Sequence, residues 1–263
     1  MTLTLGTGPL AAGAPDTTNY VLDGPQHKLL FSPFPRRIRG VLAGHTVVDS
    51  ERAMLLHESN IFPVLYFPTA DITTSLLTRT DRSTHCPFKG DASYWTITAG
   101  DTVAQDAVWG YEDPIESASW LHGYLAIEWG RLDRWFDEDD EIFGHIRDPY
   151  HRVDARPTSR RYRVLIDGQL VADTTGAFVV SETGGPNRHY IPAEDVRTDQ
   201  FAASDTTTHC PHKGDTVYWH HGPTQTDDVA WSYPHPLEEA TRIAGYWCFD
   251  GPTVSIERTE AGT

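Results

Sequence analysis

Eleven residues occur almost unchanged at two places in this chain, and this repetition constrains the fold more than any other feature. The stretch HCPFKGDASYW begins at His85, and HCPHKGDTVYW begins at His209, 124 positions later. Both copies keep His, Cys, Pro, Lys, Gly, Asp, Tyr and Trp. Self-similarity at a constant offset indicates a duplicated structural unit.

The duplication extends well beyond this motif. At an offset of 124 the aligned pairs include Arg36 and Arg160, Gly44 and Gly168, Asp49 and Asp173, Glu58 and Glu182, and Tyr66 and Tyr190. After the motif the offset falls to 122, and the pairs include Trp109 and Trp231, Tyr111 and Tyr233, and Gly123 and Gly245. A shift of two residues is a small loop deletion, which a surface loop tolerates. Since two copies do not make a solenoid, each copy is predicted to fold around its own core.

The repeat predicts a tandem domain organisation. We expect a lead-in over 1–26, a first domain over 27–128, a linker over 129–157, a second domain over 158–252 and a tail over 253–263. The linker contains the acidic run Asp137 to Glu141, which is typical of a solvated segment. It also contains Trp135 and Phe136, which are too apolar for a free linker, so we expect it to pack on a domain surface.

Local signals within each copy favour strands. Asp167-Gly168 lies between two β-prone runs and predicts a hairpin, and Ala43-Gly44 occupies the same place in the first copy. One short helix per copy is predicted, with Asp113 as N-cap, Pro114 at the first position and Gly123 as terminator in the first copy. Each domain is therefore predicted to be mainly β with one short helix.

Composition excludes several classes of function. A formal net charge of -16 disfavours nucleic-acid binding, because most such binders neutralise phosphates with basic residues. No apolar run is long enough for a membrane span, and the first 20 residues do not resemble a signal peptide. Three cysteines cannot form a disulfide framework, so a reducing cytoplasm is the expected location. The oligomeric state is not predicted.

Known cofactor and metal motifs do not occur in the sequence. It has no Walker loop, no G-x-G-x-x-G and no G-x-S-x-G, so no cofactor is predicted. Each copy of the motif has one Cys beside one His, which does not make a C-x-x-C knuckle, so no metal site is predicted either.

The motif supplies reactive side chains at a loop–strand junction. Pro87 biases the preceding Cys86 toward an extended conformation, and Lys89-Gly90-Asp91 is typical of a turn. Cys86 and Cys210 could be nucleophiles or buried packing residues, and Lys89 and Lys213 could bind a ligand or only complete the turn. Glu58 and Glu182 could pair with these lysines, act as a base, or be exposed loop residues. Trp109 and Trp231 could line an aromatic pocket or belong to the core.

The second copy resembles a known family, the domain of unknown function numbered 427. The matching residues are Arg160, Glu182-Thr183-Gly184, Tyr190, Pro192, Asp195-Val196, Cys210-Pro211, Lys213-Gly214, Trp231, Tyr233, Pro236, Ala240, Ile243 and Gly245-Tyr246. The first copy departs in the stretch HESNIFPVLYFPTADI, where Glu58-Ser59-Asn60 lacks the Thr-Gly, and at Trp120-Leu121-His122. The resemblance implies a β-tent-like fold in each domain, with two antiparallel sheets. Relatives of that fold bind zinc through knuckle cysteines that this chain lacks, so their metal is not carried over.

The residues and the resemblance together define a hypothesis about the site. Candidate catalytic residues are Cys210, Lys213 and Glu182, with Cys86, Lys89 and Glu58 in the parallel site. Candidate ligand-binding residues are Arg160, Tyr190, Tyr218 and Trp231, with Arg36, Tyr66, Tyr94 and Trp109 in the first copy. Lys would hold an anionic group of a small-molecule ligand, Cys would be a nucleophile or redox centre, and Glu would be a base. The alternatives are a non-catalytic binding module and a protein-interaction or structural module in which the motif is a folding signature.

Overall fold

The computed structural model describes residues 3–6, 8–11, 19 and 24–259, so most of the predicted lead-in and the end of the predicted tail lie outside the described residues. The described chain divides into two compact units, with the division between Asp148 and Pro149. Each unit is mainly β and all of its strand pairs are antiparallel, which confirms the predicted fold class.

The first unit has a seven-stranded and a four-stranded sheet. Its strands are β1 (Leu29–Pro33), β2 (Ile38–Leu42), β3 (His45–Ser50), β4 (Met54–Glu58), β5 (Ile61–Pro68), β6 (Leu77–Cys86), β7 (Gly90–Ala99), β8 (Thr102–Gly110), β9 (Tyr124–Ile127), β10 (Arg134–Asp137) and β11 (Asp140–Ile142). The larger sheet has the order β1-β4-β5-β9-β8-β7-β6, and the smaller has the order β11-β10-β2-β3. One six-residue 3₁₀ helix covers Glu116–Leu121, and single 3₁₀ turns cover Thr69–Asp71, Thr74–Leu76 and Trp129–Arg131.

The second unit repeats this plan. Its strands are β12 (Val153–Pro157), β13 (Arg161–Ile166), β14 (Gln169–Thr174), β15 (Phe178–Glu182), β16 (Arg188–Ile191), β17 (Phe201–Ala203), β18 (His209–Cys210), β19 (Gly214–Asp215), β20 (Val217–His221), β21 (Thr226–Ser232), β22 (Trp247–Phe249) and β23 (Val254–Thr259). The orders are β12-β15-β16-β22-β21-β20-β17 and β14-β13-β23, and β18 pairs with β19. The 3₁₀ helix is Glu238–Ile243, and single 3₁₀ turns cover Ala193–Asp195 and Thr198–Gln200.

Side-chain alternation along the strands gives each seven-stranded sheet two apolar faces. Phe67 packs in the core that the larger sheet forms with the smaller one, whereas its neighbour Tyr66 packs in a second cluster with Leu121 of the 3₁₀ helix. Tyr190 and Ile191 divide in the same way in the second unit. Successive strand residues point to opposite faces, so a single strand supplies both clusters. The second cluster lies beside the repeated motif.

The hairpins and helices that the sequence predicts are present, with one correction. Both two-residue hairpins form, and Asp167 and Gly168 have positive φ angles of 48° and 78°. The helix begins at Glu116 rather than after Asp113, its N-cap residue is Ile115, and no side chain caps it. The N–H of Ile115 is already donated to Lys89 O at 3.1 Å, which holds the preceding segment in an extended conformation.

Three strands of the sheets lie in segments that the sequence analysis assigned to the linker or the tail. β10 pairs with β2 and lies within the segment predicted as a linker, where Trp135 is 3% exposed in the core. β23 pairs with β13 in the corresponding place and lies within the predicted tail. β12, which the sequence also placed in the linker, pairs with β15 of the second unit. Among the described residues, no helix is long and apolar enough to cross a membrane.

Candidate functional site

The repeated motif forms a tight hairpin in each unit. Cys86 ends β6 and pairs with Gly90 at the start of β7, and the N–H of Lys89 donates to Cys86 O at 3.2 Å. Cys210 and Gly214 pair in the same way, with the N–H of Lys213 donating to Cys210 O at 3.1 Å. The sequence placed the cysteine at a loop–strand junction, and the structure confirms this.

Both the backbone conformation and the lack of space for a Cβ atom require a glycine in the motif. Gly90 has φ +104°, and a Cβ built on it would lie 3.3 Å from the backbone N of Ile115. Gly214 has φ +99°, and its Cβ would lie 3.2 Å from His235 O. The close approach lets the preceding lysine carbonyl accept the N–H of Ile115 or Leu237. The Lys-Gly pair therefore ties the motif to the segment that leads into the 3₁₀ helix.

Gly90→Ala is expected to lower the free energy of unfolding of the first unit by about 1–3 kcal/mol. The left-handed backbone is strained for any residue with a Cβ, and the added methyl group meets backbone atoms that cannot move independently. Urea unfolding followed by circular dichroism measures the change. Gly130→Ala is the control, because its Cβ would meet no atom within 4 Å. Equal stability of the Gly90 variant and the wild type would contradict the assignment.

The structure brings the predicted lysine and glutamate together. Glu58 is the last residue of β4, and its Oε2 accepts a hydrogen bond from Lys89 Nζ. Glu182 is the last residue of β15, and its Oε1 accepts one from Lys213 Nζ. Lys89 and Lys213 are only 8% and 7% exposed. Of the alternatives given for the glutamates, pairing with lysine is what the structure shows.

A histidine that the sequence analysis missed completes each cluster. His27 Nε2 lies 2.8 Å from Glu58 Oε1, and His151 Nε2 lies 3.6 Å from Glu182 Oε2. An ionised carboxylate only accepts, so the proton on His27 lies on Nε2 and Nδ1 is left as the acceptor. The two histidines are 124 positions apart, so the offset of the repeat could have identified them. We call these two groups the His–Glu–Lys clusters.

Aromatic rings enclose the His–Glu–Lys clusters. The ring of His27 stacks on Phe88 with centroids 3.8 Å apart, and His151 packs against His212 at 4.2 Å. Lys89 Nζ lies 5.8 Å from the ring centroid of Tyr111, and Lys213 Nζ lies 5.7 Å from that of Tyr233. Both Tyr–Lys distances are within the range of a cation–π interaction. The lysine charge is thus held between a carboxylate and a ring face.

The second cluster strongly favours an ionised carboxylate. Burial alone would raise the pKa of Glu182, but the hydrogen bond to His151 and the charge and hydrogen bond of Lys213 outweigh it and lower the pKa from 4.5 to about 2. Burial also raises the pKa of Tyr233 well above its ordinary value, so its phenol stays protonated. At neutral pH the site therefore combines a fixed negative charge, a paired lysine and neutral phenols.

This shift predicts a pH-dependent contribution to stability. Because the folded pKa of Glu182 is depressed, the contribution is complete above about pH 4.5 and is lost as the pH falls toward 2. Its size is about 2–3 kcal/mol, after allowance for partial solvent exposure of the carboxylate. The difference in unfolding free energy between wild type and Glu182→Gln, measured from pH 6 to pH 3, is expected to shrink with acid. A difference that does not change with pH would contradict the pairing.

The predicted cysteines and aromatic residues gather beside each cluster. Cys86 is partly buried among Tyr66, Tyr94 and Trp109, and the indole N–H of Trp109 donates to the Tyr66 hydroxyl at 3.3 Å. In the second unit the corresponding residues, Cys210, Tyr190 and Trp231, pack in one cluster, and the ring centroid of Tyr218 lies 6.2 Å from that of Trp231. The aromatic residues thus both form the second apolar cluster and surround the cysteine.

Two predicted ligand-binding residues lie elsewhere. Arg36 precedes β2, and its guanidinium donates to both carboxylate oxygens of Asp137 at 2.6 Å. Arg160 precedes β13 in the corresponding place. Arg36 therefore contacts the smaller sheet of the first unit, and Arg160 directly precedes a strand of the smaller sheet of the second. Among the residues that the structure describes, no group of three or more His, Cys, Asp or Glu side chains is placed to hold a metal ion.

Comparison with protein families accounts for both units. The model of the domain of unknown function DUF427 matches residues 30–138 and again residues 154–260, which together make up most of the chain. The chain belongs to the DUF427 family. It has two copies of the DUF427 domain in tandem, as the duplication predicted. Each match includes one complete motif hairpin and its glutamate, together with β10 or β23. No protein with a curated description matches the chain.

Proposed function

We propose that this tandem DUF427 protein is a small-molecule pocket protein or enzyme whose sites are the two His–Glu–Lys clusters. One observation carries the proposal: both units build the same cluster from three separate segments and add a histidine to an already complete ion pair. Burying a Lys–Glu pair costs desolvation energy that apolar residues of similar volume would avoid. The retention of three ionisable groups favours a chemical role over simple packing.

The chemistry that this arrangement favours is acid–base or nucleophilic. The glutamate orients the histidine, and Nδ1 of His27, which makes no hydrogen bond to the described residues, is the atom that would accept a proton from a bound molecule. Cys86 and Cys210 are the nucleophile candidates beside the clusters, and each lysine is paired with its glutamate. Because glutamate cancels the lysine charge, an anionic ligand group would meet net positive charge only when the histidine is protonated. All three cysteines are free, which fits the proposed cytoplasmic location.

A structural role for the motif is the second candidate, and one observation favours it. The lysine carbonyl accepts a backbone N–H from the segment before the 3₁₀ helix, so the motif also joins two parts of each unit. In this case the ion pair would hold the hairpin on β4 or β15 without binding anything. The two candidates make different predictions for variants that keep the fold and remove the charges.

Volume-matched double variants separate these candidates. Glu58→Leu with Lys89→Met, and Glu182→Leu with Lys213→Met, remove the carboxylate together with the buried ammonium group, so both proteins are expected to fold. Inorganic phosphate and a panel of small carboxylic acids would be screened by thermal shift and by protection of Cys86 and Cys210 from iodoacetamide. We expect at least one compound to stabilise the wild type and to lose its effect in a double variant. Folded double variants with unchanged responses, or a panel without any effect, would favour the structural candidate.

Cys248 provides an internal control for the labelling. It is 0% exposed, and burial raises the pKa of its thiol to about 12. It should therefore stay unmodified as long as the second unit is folded. Labelling of Cys248 would show that the second unit has unfolded. Protection of Cys86 and Cys210 is therefore read only from samples in which Cys248 is unlabelled.

A further inference from the structure

The first unit contains a cleft that is separate from its ion pair. Its volume is about 480 Å³, and its lining includes Leu77, Arg79, Trp95, Glu112, His122 and Leu125. The ring of Tyr111 also lines it, and the same ring lies 5.8 Å from Lys89 Nζ. None of these six residues belongs to the His–Glu–Lys clusters, so a ligand in this cleft would be independent of the proposed function.

The second unit shows what occupies the corresponding space. The offset of the repeat aligns Trp95 with Trp219 and Leu125 with Trp247. Trp219 and Trp247 stack with ring centroids 3.8 Å apart and an interplanar angle of 16°. The strand registers agree, because Leu125 pairs with Phe67 and Trp247 pairs with the equivalent Ile191. The face of Trp95 thus lacks the stacked indole that covers Trp219.

A second ring is also missing from the first unit. Leu77 stands where the second unit has Phe201, which packs edge-to-face on Trp247 with centroids 5.3 Å apart. Two aromatic side chains in the second unit therefore correspond to two leucines in the first. The space beside Trp95 lies where the second unit has a flat bicyclic ring, the indole of Trp247.

Three of the cleft's polar residues stand where the second unit has apolar ones. Arg79, Glu112 and His122 align with Ala203, Pro234 and Ala244. Simple loss of packing would not introduce an arginine, a glutamate and a histidine together around the opened space. Ligand sites combine apolar walls with a few polar groups that fix orientation, and the first unit has gained both features.

The polar groups are held in place by one another. Arg79 Nε and Nη2 donate to Glu112 Oε2 at 3.2 and 2.5 Å, and the Ser93 hydroxyl donates to the same oxygen at 2.6 Å. Arg79 Nη2 also donates to Ser93 Oγ at 2.7 Å. Among the described residues, Glu112 Oε1 and Arg79 Nη1 make no hydrogen bond, so one acceptor and one donor group remain at the rim. Arg79 also lies 5.9 Å from the ring of Trp95.

We propose that this cleft binds a planar bicyclic nitrogen heteroaromatic, with the ring stacked on Trp95 and an N–H donor directed to Glu112. A ring N–H next to a ring nitrogen acceptor matches the free carboxylate oxygen and the free guanidinium N–H groups. Stacking of the ligand ring on Trp95 supplies the apolar part of the binding energy. The contact resembles the packing of the Trp247 ring on Trp219 in the second unit. In the second unit Trp247 stacks on Trp219 in the corresponding place, so the proposal concerns the first unit.

Binding of adenine, benzimidazole and indole to the full chain tests the proposal, with 1-methylbenzimidazole as the probe that lacks the N–H donor. Isothermal titration or saturation-transfer NMR is expected to give one site for at least one N–H probe, with Kd below about 1 mM. Leu125→Trp, which copies the second unit, is expected to weaken this binding at least tenfold. Glu112→Gln is expected to weaken benzimidazole more than 1-methylbenzimidazole.

If Leu125→Trp does not fold, Arg79→Ala serves as a second test variant and Arg82→Ala as its control. Arg79→Ala places at this exposed position the residue that the second unit has, and it is expected to reduce binding severalfold. Arg82→Ala lies on the same strand, where Arg82 faces Asp106 and Tyr94, and it should bind like wild type. The proposal is overturned if no probe binds with a Kd below about 1 mM, or if Leu125→Trp and Arg79→Ala both bind as the wild type does.

Discussion

Glu58→Gln is expected to lower the free energy of unfolding of the first unit by about 3–5 kcal/mol. The substitution keeps the shape of the side chain but leaves the Lys89 ammonium buried without a counter-charge, and an uncompensated buried charge costs that amount. Glu182→Gln should cost less, because the Glu182 side chain is 22% exposed and that of Glu58 is 7% exposed. Water can screen the remaining charge better in the second unit.

Urea unfolding followed by circular dichroism measures the loss, and hydrogen exchange of peptides from β4 and β7 assigns it to the first unit. The control is the double variant Glu58→Leu with Lys89→Met, which should recover most of the stability because no ion is left unpaired. If Glu58→Gln unfolds as the wild type does, the ion pair contributes little and the cluster loses its stabilising role. If the double variant is as unstable as the single one, packing and not charge explains the loss.

Trp135→Ala is expected to cost the first unit a similar amount, about 3–5 kcal/mol, since it removes a large ring from a packed core. Trp135 is 3% exposed, stacks on Trp129 at 4.7 Å and donates its indole N–H to the Trp129 carbonyl at 3.0 Å. A residue in a linker lying on the surface would cost far less. The control is Val103→Ala, where the side chain is 62% exposed and the expected change is below about 0.5 kcal/mol.

The measurement is again urea unfolding, monitored by circular dichroism because the substitution removes a fluorophore. A cost of less than about 1 kcal/mol would contradict the assignment of β10 to the core of the first unit. Such a result would indicate that β10 packs on the sheet without contributing much to the stability of the core. A large cost would show that this strand belongs to the folding unit that includes β2.

The sequence predicts the local features of each unit well and the long-range ones only partly. Asp167-Gly168 forms its hairpin because turn chemistry is local, and the Lys-Gly turn forms for the same reason. The helix start was misplaced because Ile115 keeps an extended backbone where its N–H donates to Lys89 O, a contact between residues far apart in sequence. The pairing of Glu58 with Lys89 was one of three alternatives, and only the register of β4 with its neighbours selects it.

Long-range strand pairing determines the positions of His27 and Arg36, which the sequence did not show. His27 lies just before β1, and the antiparallel register that pairs Leu29 with Glu58 brings it to the carboxylate. Arg36 was assigned to the ligand, yet it lies before β2 and bonds to Asp137 on β10. Sequence similarity between the copies identifies residues that both units share, but it does not show which sheet each of these residues contacts. Strand pairing over long distances decides that, and no local pattern encodes it.

The strands β10 and β23, which pair with β2 and β13 in the smaller sheets, affect the order in which the chain folds. β10 and β23 follow their partners β2 and β13 by about ninety residues, so each unit must close a long loop before that sheet is complete. Two similar units in one chain also offer each other nearly equivalent strands during this slow step. Exchange of such strands between copies is a known failure of tandem repeats. Refolding yield should therefore fall when both units fold at once, and should rise when one unit completes its sheets before the other begins.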